Sequence, residues 1–197
     1  IQFFLENLLN QELFSKEVLE SSPEHSARKA WELPKEFIPK IYKICKDTKI
    51  DFGITPFYID AVKENEEYVD FFKIASYEIL WKELFHECLS TKKPLIFSSG
   101  MATLNEVDDA IAQIPDSKKK DITLLHCSSA YPTSPDSCNL SIIKMFKERY
   151  ACKVGWSDHT CSKAVVLSSL IQWNAECVEL HIDIDGKGAE AASGHCW

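Results

Sequence analysis

Residues 94–114 read Pro-Leu-Ile-Phe-Ser-Ser-Gly-Met-Ala-Thr-Leu-Asn-Glu-Val-Asp-Asp-Ala-Ile-Ala-Gln-Ile. Pro94–Ser98 is a short, near-continuous apolar run behind a proline, the pattern of a strand buried on both faces of a parallel sheet. Thr103 and Glu106 stand in T-x-x-E spacing, the capping box that starts a helix. Leu104, Val107, Ile111 and Ile114 then fall on one side of that helix. Strand, tight turn and capped helix make one β–α unit.

The same rhythm runs outward in both directions. Asp51–Thr55, Phe71–Ser76, Ile122–Cys127, Lys153–Ser157 and Cys177–Ile182 read as further strands. Helical periods lie at Glu36–Lys46, where Phe37, Ile38, Ile41, Ile44 and Cys45 share a side, and at Ile79–Leu89, Leu140–Phe146 and Ser162–Trp173. Strands recur every 20–32 residues or so, roughly the length of a β–α unit. Six such strands in series without hairpin signals predict a parallel α/β sheet. A doubly wound sheet and a (β/α)8 TIM barrel both satisfy that pattern. Glycine totals 6 and no glycine-rich dinucleotide loop follows a strand, which weighs against the first. Polar residues end nearly every strand (Thr55, Lys73 and Ser76, Ser98, His126 to Tyr131, Ser157 and His159, His181), and a barrel gathers such ends around one mouth. The barrel is therefore expected.

Composition bounds the function. The 197 residues are 45% hydrophobic and 26% charged, the balance of a soluble globular chain. No apolar run approaches the roughly 20 residues that span a bilayer. The formal charge of −8 makes nucleic acid and anionic membrane poor partners. Eight cysteines could signal secretion with disulfides. Their scatter through apolar segments points instead to reduced thiols used as small core residues, in a cytoplasmic protein. No C-x-x-C pair occurs, so a zinc ribbon is excluded. The chain opens on Ile1-Gln2 and closes on Gly194-His195-Cys196-Trp197, ends that suggest an excerpt of a longer protein.

Lys73-Ile74-Ala75-Ser76-Tyr77-Glu78 places an ammonium, a hydroxyl and a carboxylate at one strand end. Lys73 either pairs structurally with an acid such as Glu78 or anchors a phosphate or carboxylate ligand. Ser98-Ser99-Gly100 before the capped helix is either an ordinary βα turn or an anion cradle. His159 and His181 end strands about one β–α unit apart. Singly each reads as a hydrogen-bonded core histidine; as a pair they could share a divalent metal. His126 reads as a satisfied core histidine, His195 as a spare, and His25 and His86 belong to no cluster. No G-x-S-x-G elbow supports a serine hydrolase.

Thr55-Pro56-Phe57, Lys73 to Glu78, Ser98 to Thr103, His126-Cys127-Ser128-Ser129-Ala130-Tyr131-Pro132, Gly155-Trp156-Ser157-Asp158-His159-Thr160 and Glu179-Leu180-His181 occur in that order. In this the chain resembles the sialic acid synthase family, phosphoenolpyruvate-dependent synthases of N-acetylneuraminic acid and related nonulosonic acids. The resemblance implies a (β/α)8 catalytic barrel that condenses phosphoenolpyruvate with an open-chain N-acylated amino sugar and releases phosphate by C–O cleavage. It implies a divalent cofactor, Mn2+ or Mg2+, and a homodimer. It assigns Thr55, Lys73, Ser76, Ser98 and Ser157 to phosphoenolpyruvate, Lys73 and Glu78 to catalysis, and His159 and His181 to the metal. Gln2, Ser129, Tyr131 and Glu190 would face the sugar.

The chain also departs from the family. Ser129 stands where better-known members carry Asn, Ala75 and Tyr77 replace frequent glycines, and the Asp183–Glu190 tail diverges. Matched to the family, residues 1–197 correspond to barrel strands two to eight. The first strand, most of the second, and the C-terminal antifreeze-like domain are then absent. N-acetylmannosamine and the 2,4-diacetamido sugars leading to legionaminic or pseudaminic acid are the candidate acceptors. A metal-dependent barrel aldolase or hydrolase using His159 and His181, and a non-catalytic degenerate barrel, are the competing readings.

Overall fold

The computed structural model describes residues 4–5, 17, 21, 23, 32–188 and 191–197. The expected sugar-facing residues Gln2 and Glu190 lie outside the described residues. The chain divides into two compact units, Ile1–Lys73 with Glu83–Pro94, and Ile74–Lys82 with Leu95–Trp197.

In the first unit β1 (Phe4–Leu5) pairs parallel with β2 (Glu32–Leu33), two short strands that no alternation in the sequence announces. Helix α1 (Ile38–Thr48) ends at Lys49, whose left-handed backbone (φ 59°) lets its N–H reach the Cys45 and Lys46 carbonyls. Strand β3 (Gly53–Ile54) pairs parallel with β4 (Phe71–Ile74). Asp70, just before β4, binds the Phe52 N–H at 2.8 Å and the Lys46 ammonium, so α1 and both strands meet at one carboxylate. Helix α2 (Asp60–Asn65) is one the sequence pattern does not announce, being only six residues long. Phe52, Ile54, Val62 and Phe72 are buried with Leu84 and Phe85 of α3 (Lys82–Ser90). The helix expected from Ile79 starts instead at Lys82. Ser76–Glu78 forms a tighter 3-10 turn, and Tyr77 and Leu80 are exposed.

The second unit carries β5 (Leu95–Ser98), β6 (Ile122–Cys127), β7 (Lys153–Asp158) and β8 (Val178–Leu180), each parallel to the next in chain order. Helices α4 (Leu104–Ala112), α5 (Ser141–Arg149) and α6 (Lys163–Ile171) alternate with them. The expected capping box forms: Thr103 N–H donates to Glu106 Oε2 at 2.7 Å and Glu106 N–H to Thr103 Oγ1 at 3.4 Å. Phe97, Leu124, Leu125, Val154 and Trp156 are fully buried, as the continuous apolar runs require. All eight cysteines are free thiols, and Cys45, Cys88, Cys127 and Cys138 are buried. Burial pushes the Cys88 thiol up to about 12, so it packs as an apolar group. Among the described residues no helix is long and apolar enough to cross a membrane.

Asp108 of α4 ties α5 in place. Arg149 donates to both its oxygens, at 2.7 and 2.6 Å, and the Tyr150 hydroxyl adds a third bond at 2.7 Å. The Arg149 guanidinium first, then Tyr150, hold the Asp108 carboxyl down to about 2. A lowered folded-state pKa contributes stability that is present above the ordinary value of 3.8 and is lost as pH falls through about 2. Asp108→Asn should therefore lower Tm by a constant amount from pH 5 to 8. The gap to wild type should close as pH drops from about 4 toward 2, measured by calorimetry. A gap unchanged by acid would assign the loss to something other than this carboxylate.

Candidate active site

The C-terminal ends of the second unit's strands fall into line by register. Ser98 stands opposite Leu125, Cys127 opposite Ser157, Ser157 opposite Glu179, and Asp158 opposite Leu180. The residues that leave these strands therefore share one edge, where a parallel α/β fold places its chemistry.

The turn after β5 is pinned to β6 by Ser99, whose N–H and hydroxyl both donate to the Leu125 carbonyl, at 3.0 and 3.2 Å. This presents Gly100 to two hydroxyls. Its N–H donates to Ser76 Oγ at 3.2 Å. A Cβ on Gly100 would lie 2.7 Å from that oxygen and 2.1 Å from Ser129 Oγ, so only glycine permits the approach. Ser129 Oγ is buried and has no hydrogen-bond partner among the described residues. Ser76 and Ser98 are buried as well, and Glu78, two residues on, turns Oε2 out of solvent. The result is a small set of neutral donors at a strand-to-helix turn, suited to an anion.

Imidazoles gather at the neighbouring strand ends. The rings of His159 and His181 are centred 5.2 Å apart, and Tyr131 lies over His159 at 4.1 Å. His159 Nδ1 faces the Ser128 carbonyl at 3.0 Å. A carbonyl only accepts, so Nδ1 carries the hydrogen, and the neutral ring then presents its lone pair at Nε2, the tautomer a metal ligand needs. Ser128 and Ser129 are consecutive. The loop leaving β6 thus holds His159 with one residue and covers Gly100 with the next.

Beneath this cluster Asp158 is fully buried and receives five hydrogen bonds. The donors are Trp156 Nε1 (3.0 Å), Thr160 N (3.2 Å) and Oγ1 (2.8 Å), Cys161 N (3.2 Å) and Trp197 Nε1 (3.3 Å). A carboxylate this well solvated by the protein is a fixed post for the residue that follows it, His159. Ser157 donates to Glu179 Oε1 at 2.8 Å, which orients its hydroxyl across β7 and β8.

His126 is the satisfied core histidine expected. Nε2 meets the Cys138 carbonyl at 2.8 Å, and the ring packs on Trp156 and Phe146. Burial lowers its pKa. His195, read from sequence as a spare, is not one: it is buried with its ring 4.7 Å from His181 and 4.9 Å from Tyr131. The remaining candidates belong to the first unit. Thr55 follows β3 with 1% of its surface exposed, and Lys73 lies within β4 with 8% exposed.

Residues 2–194 match the NeuB family. The chain belongs to this family. The pseudaminic acid synthase of Helicobacter pylori is 36% identical over 152 residues, covering 75% of this chain and 44% of that protein. The N,N'-diacetyllegionaminic acid synthase of Campylobacter jejuni is 33% identical over 143 residues, covering 71% of this chain and 42% of that protein. The chain thus spans less than half the length of these NeuB-type relatives. Among solved structures, the N-acetylneuraminic acid synthetase of Leptospira borgpetersenii, in complex with citrate, superposes with a TM-score of 0.83 at 27% identity, over 96% of this chain and 64% of that one. The fold is accordingly α/β, part of a (β/α)8 barrel.

Proposed function

We propose that the full-length protein condenses phosphoenolpyruvate with the aldehyde of an N-acylated amino sugar, forming a nonulosonic acid and releasing phosphate. The observation that carries this reading is the β6 exit loop. Ser128 and Ser129 join a donor-lined turn, fit for a phosphate or carboxylate, to a histidine pair fit for a divalent ion.

The hydroxyls of Ser76, Ser98 and Ser129 beside the Gly100 turn supply neutral donors, and Ser157, assigned to the same ligand by family resemblance, holds its own hydroxyl on Glu179. Lys73, from the Lys-x-x-Ser-x-Glu segment, and Thr55 are assigned to the same anion by family resemblance. A chain of net charge −8 attracts such a ligand only through a local arrangement of donors, not through its global field. Phosphoenolpyruvate held there presents its enol carbon to the aldehyde. Glu78 then takes a proton from the water that attacks C2 as phosphate departs.

His159 and His181 would hold a divalent ion, His159 through the tautomer that the Ser128 carbonyl favours and His181 with its ring centred 5.2 Å away. When bound, such an ion, Mn2+ or Mg2+, polarises the sugar carbonyl as a Lewis acid. Tyr131, over His159, then forms a wall against which the acceptor is oriented. The test is phosphate release from phosphoenolpyruvate by the full-length protein, with N-acetylmannosamine and 2,4-diacetamido sugars as acceptors. Release that depends on one of these sugars supports the reading. Turnover of the sugar without phosphoenolpyruvate would favour an aldolase.

A further inference from the structure

His195 is a buried imidazole with no part in the reaction outlined above, and the segment that carries it is built to hold it. Ala191–Ser193 forms a 3-10 turn that Gly194 closes, its N–H donating to the Ala191 carbonyl at 3.1 Å. Gly194 has φ 77°, a left-handed conformation that side chains resist, so the reversal here depends on glycine. The chain then runs beside the exit of β8. Cys196 pairs parallel with His181, Trp197 N–H donates to the His181 carbonyl at 2.8 Å, and Asp183 N–H to the Trp197 carbonyl at 3.0 Å. The Trp197 indole reaches Asp158 at 3.3 Å, the same carboxylate that precedes His159. One buried acid therefore locks the strap to the loop of the candidate metal site.

The strap delivers the His195 ring edge-on to three others. It lies 4.7 Å from His181 at 71°, 4.9 Å from Tyr131 at 78° and 6.1 Å from His159 at 89°. Edge-to-face rings resist rotation, because turning either one forfeits the contact of a positive edge with a negative face. Among the described residues no three His, Cys, Asp or Glu side chains are arranged to hold one ion. The third imidazole thus stands against the pair rather than completing a ligand trio.

We propose that His195 is a positioning residue: the strap, anchored through Trp197 to Asp158, wedges its ring against His181 and Tyr131 and fixes the orientation of the metal-binding pair. This rests on the metal site proposed above. The measurement is Mn2+ affinity of the full-length protein, by calorimetry and by electron paramagnetic resonance of free Mn2+, which does not depend on turnover. His195→Ala should weaken Mn2+ binding by about 10–100-fold, the usual effect of losing a group that orients a ligand. His195→Phe keeps the ring wedge without its nitrogens and should keep most of the affinity. Trp197→Phe removes the indole N–H together with its five-membered ring and should shift affinity in the same direction as His195→Ala, with the circular dichroism spectrum unchanged. Equal losses in His195→Ala and His195→Phe would make the nitrogen, not the ring, the active feature and overturn the proposal. Wild-type affinity in His195→Ala would overturn it too. A wild-type protein that binds no Mn2+ would instead defeat the metal site itself, and the inference with it.

Discussion

His159→Ala and His181→Ala should each lower kcat/KM by about a thousandfold, the several kcal/mol that a Lewis acid contributes to an aldehyde condensation. The two rings would serve one ion, so the double variant should be hardly worse than either single one. Circular dichroism and Tm should change little. His181 is half-buried at a strand exit, and His159 is replaced above a carboxylate that keeps its own five donors. Steady-state kinetics with Mn2+ titration reads the outcome. Near-wild-type activity in either single variant, or strictly multiplicative losses, would separate the histidines and remove the shared ion from the account.

Gly100→Ala should be the second largest effect, and it reports on the anion end of the site. The added methyl would fall 2.1 Å from Ser129 Oγ and 2.7 Å from Ser76 Oγ, too close for both hydroxyls to remain where they are. Either the turn shifts or both serines rotate, and the donors no longer converge. Displacement of reacting groups by about 1 Å commonly costs on the order of a hundredfold in rate. The loss should appear mainly in KM for phosphoenolpyruvate, while KM for the sugar and the Mn2+ affinity stay near wild type. A variant with an unchanged phosphoenolpyruvate KM would show that the Ser76–Gly100–Ser129 cluster is structural only.

The residues whose chemistry is local are legible in the sequence itself. Ile122–Cys127 is a strand over the whole expected run, and Thr103 with Glu106 caps α4, because burial on both faces and a capping box each leave a mark over a few residues. What escaped depends on distant partners. Strands β1 and β2 contain two residues each, too few for any period to show. The helix expected from Ile79 begins only at Lys82, behind the 3-10 turn Ser76–Glu78, and Leu80 of its expected first turn faces solvent. At the site, the strand-end histidines His159 and His181 announced themselves by position, and the structure brings their rings together. His195 did not, because its role is made by Gly194, Cys196 and Trp197 folding back on His181 and Asp158. The signal available was the run Gly-His-Cys-Trp itself: a glycine able to turn, followed by an imidazole and an indole that need buried partners.

The most direct test of the synthase reading follows the bridging oxygen of phosphoenolpyruvate. The full-length protein is supplied with phosphoenolpyruvate carrying oxygen-18 at the C–O–P bridge, an N-acylated amino sugar and Mn2+, and both products are weighed by mass spectrometry. The C2–O bond should break, so the label leaves in phosphate, while the 2-keto oxygen of the nonulosonic acid comes from water. Label retained in the sugar acid, or a condensation product formed without release of phosphate, would contradict it.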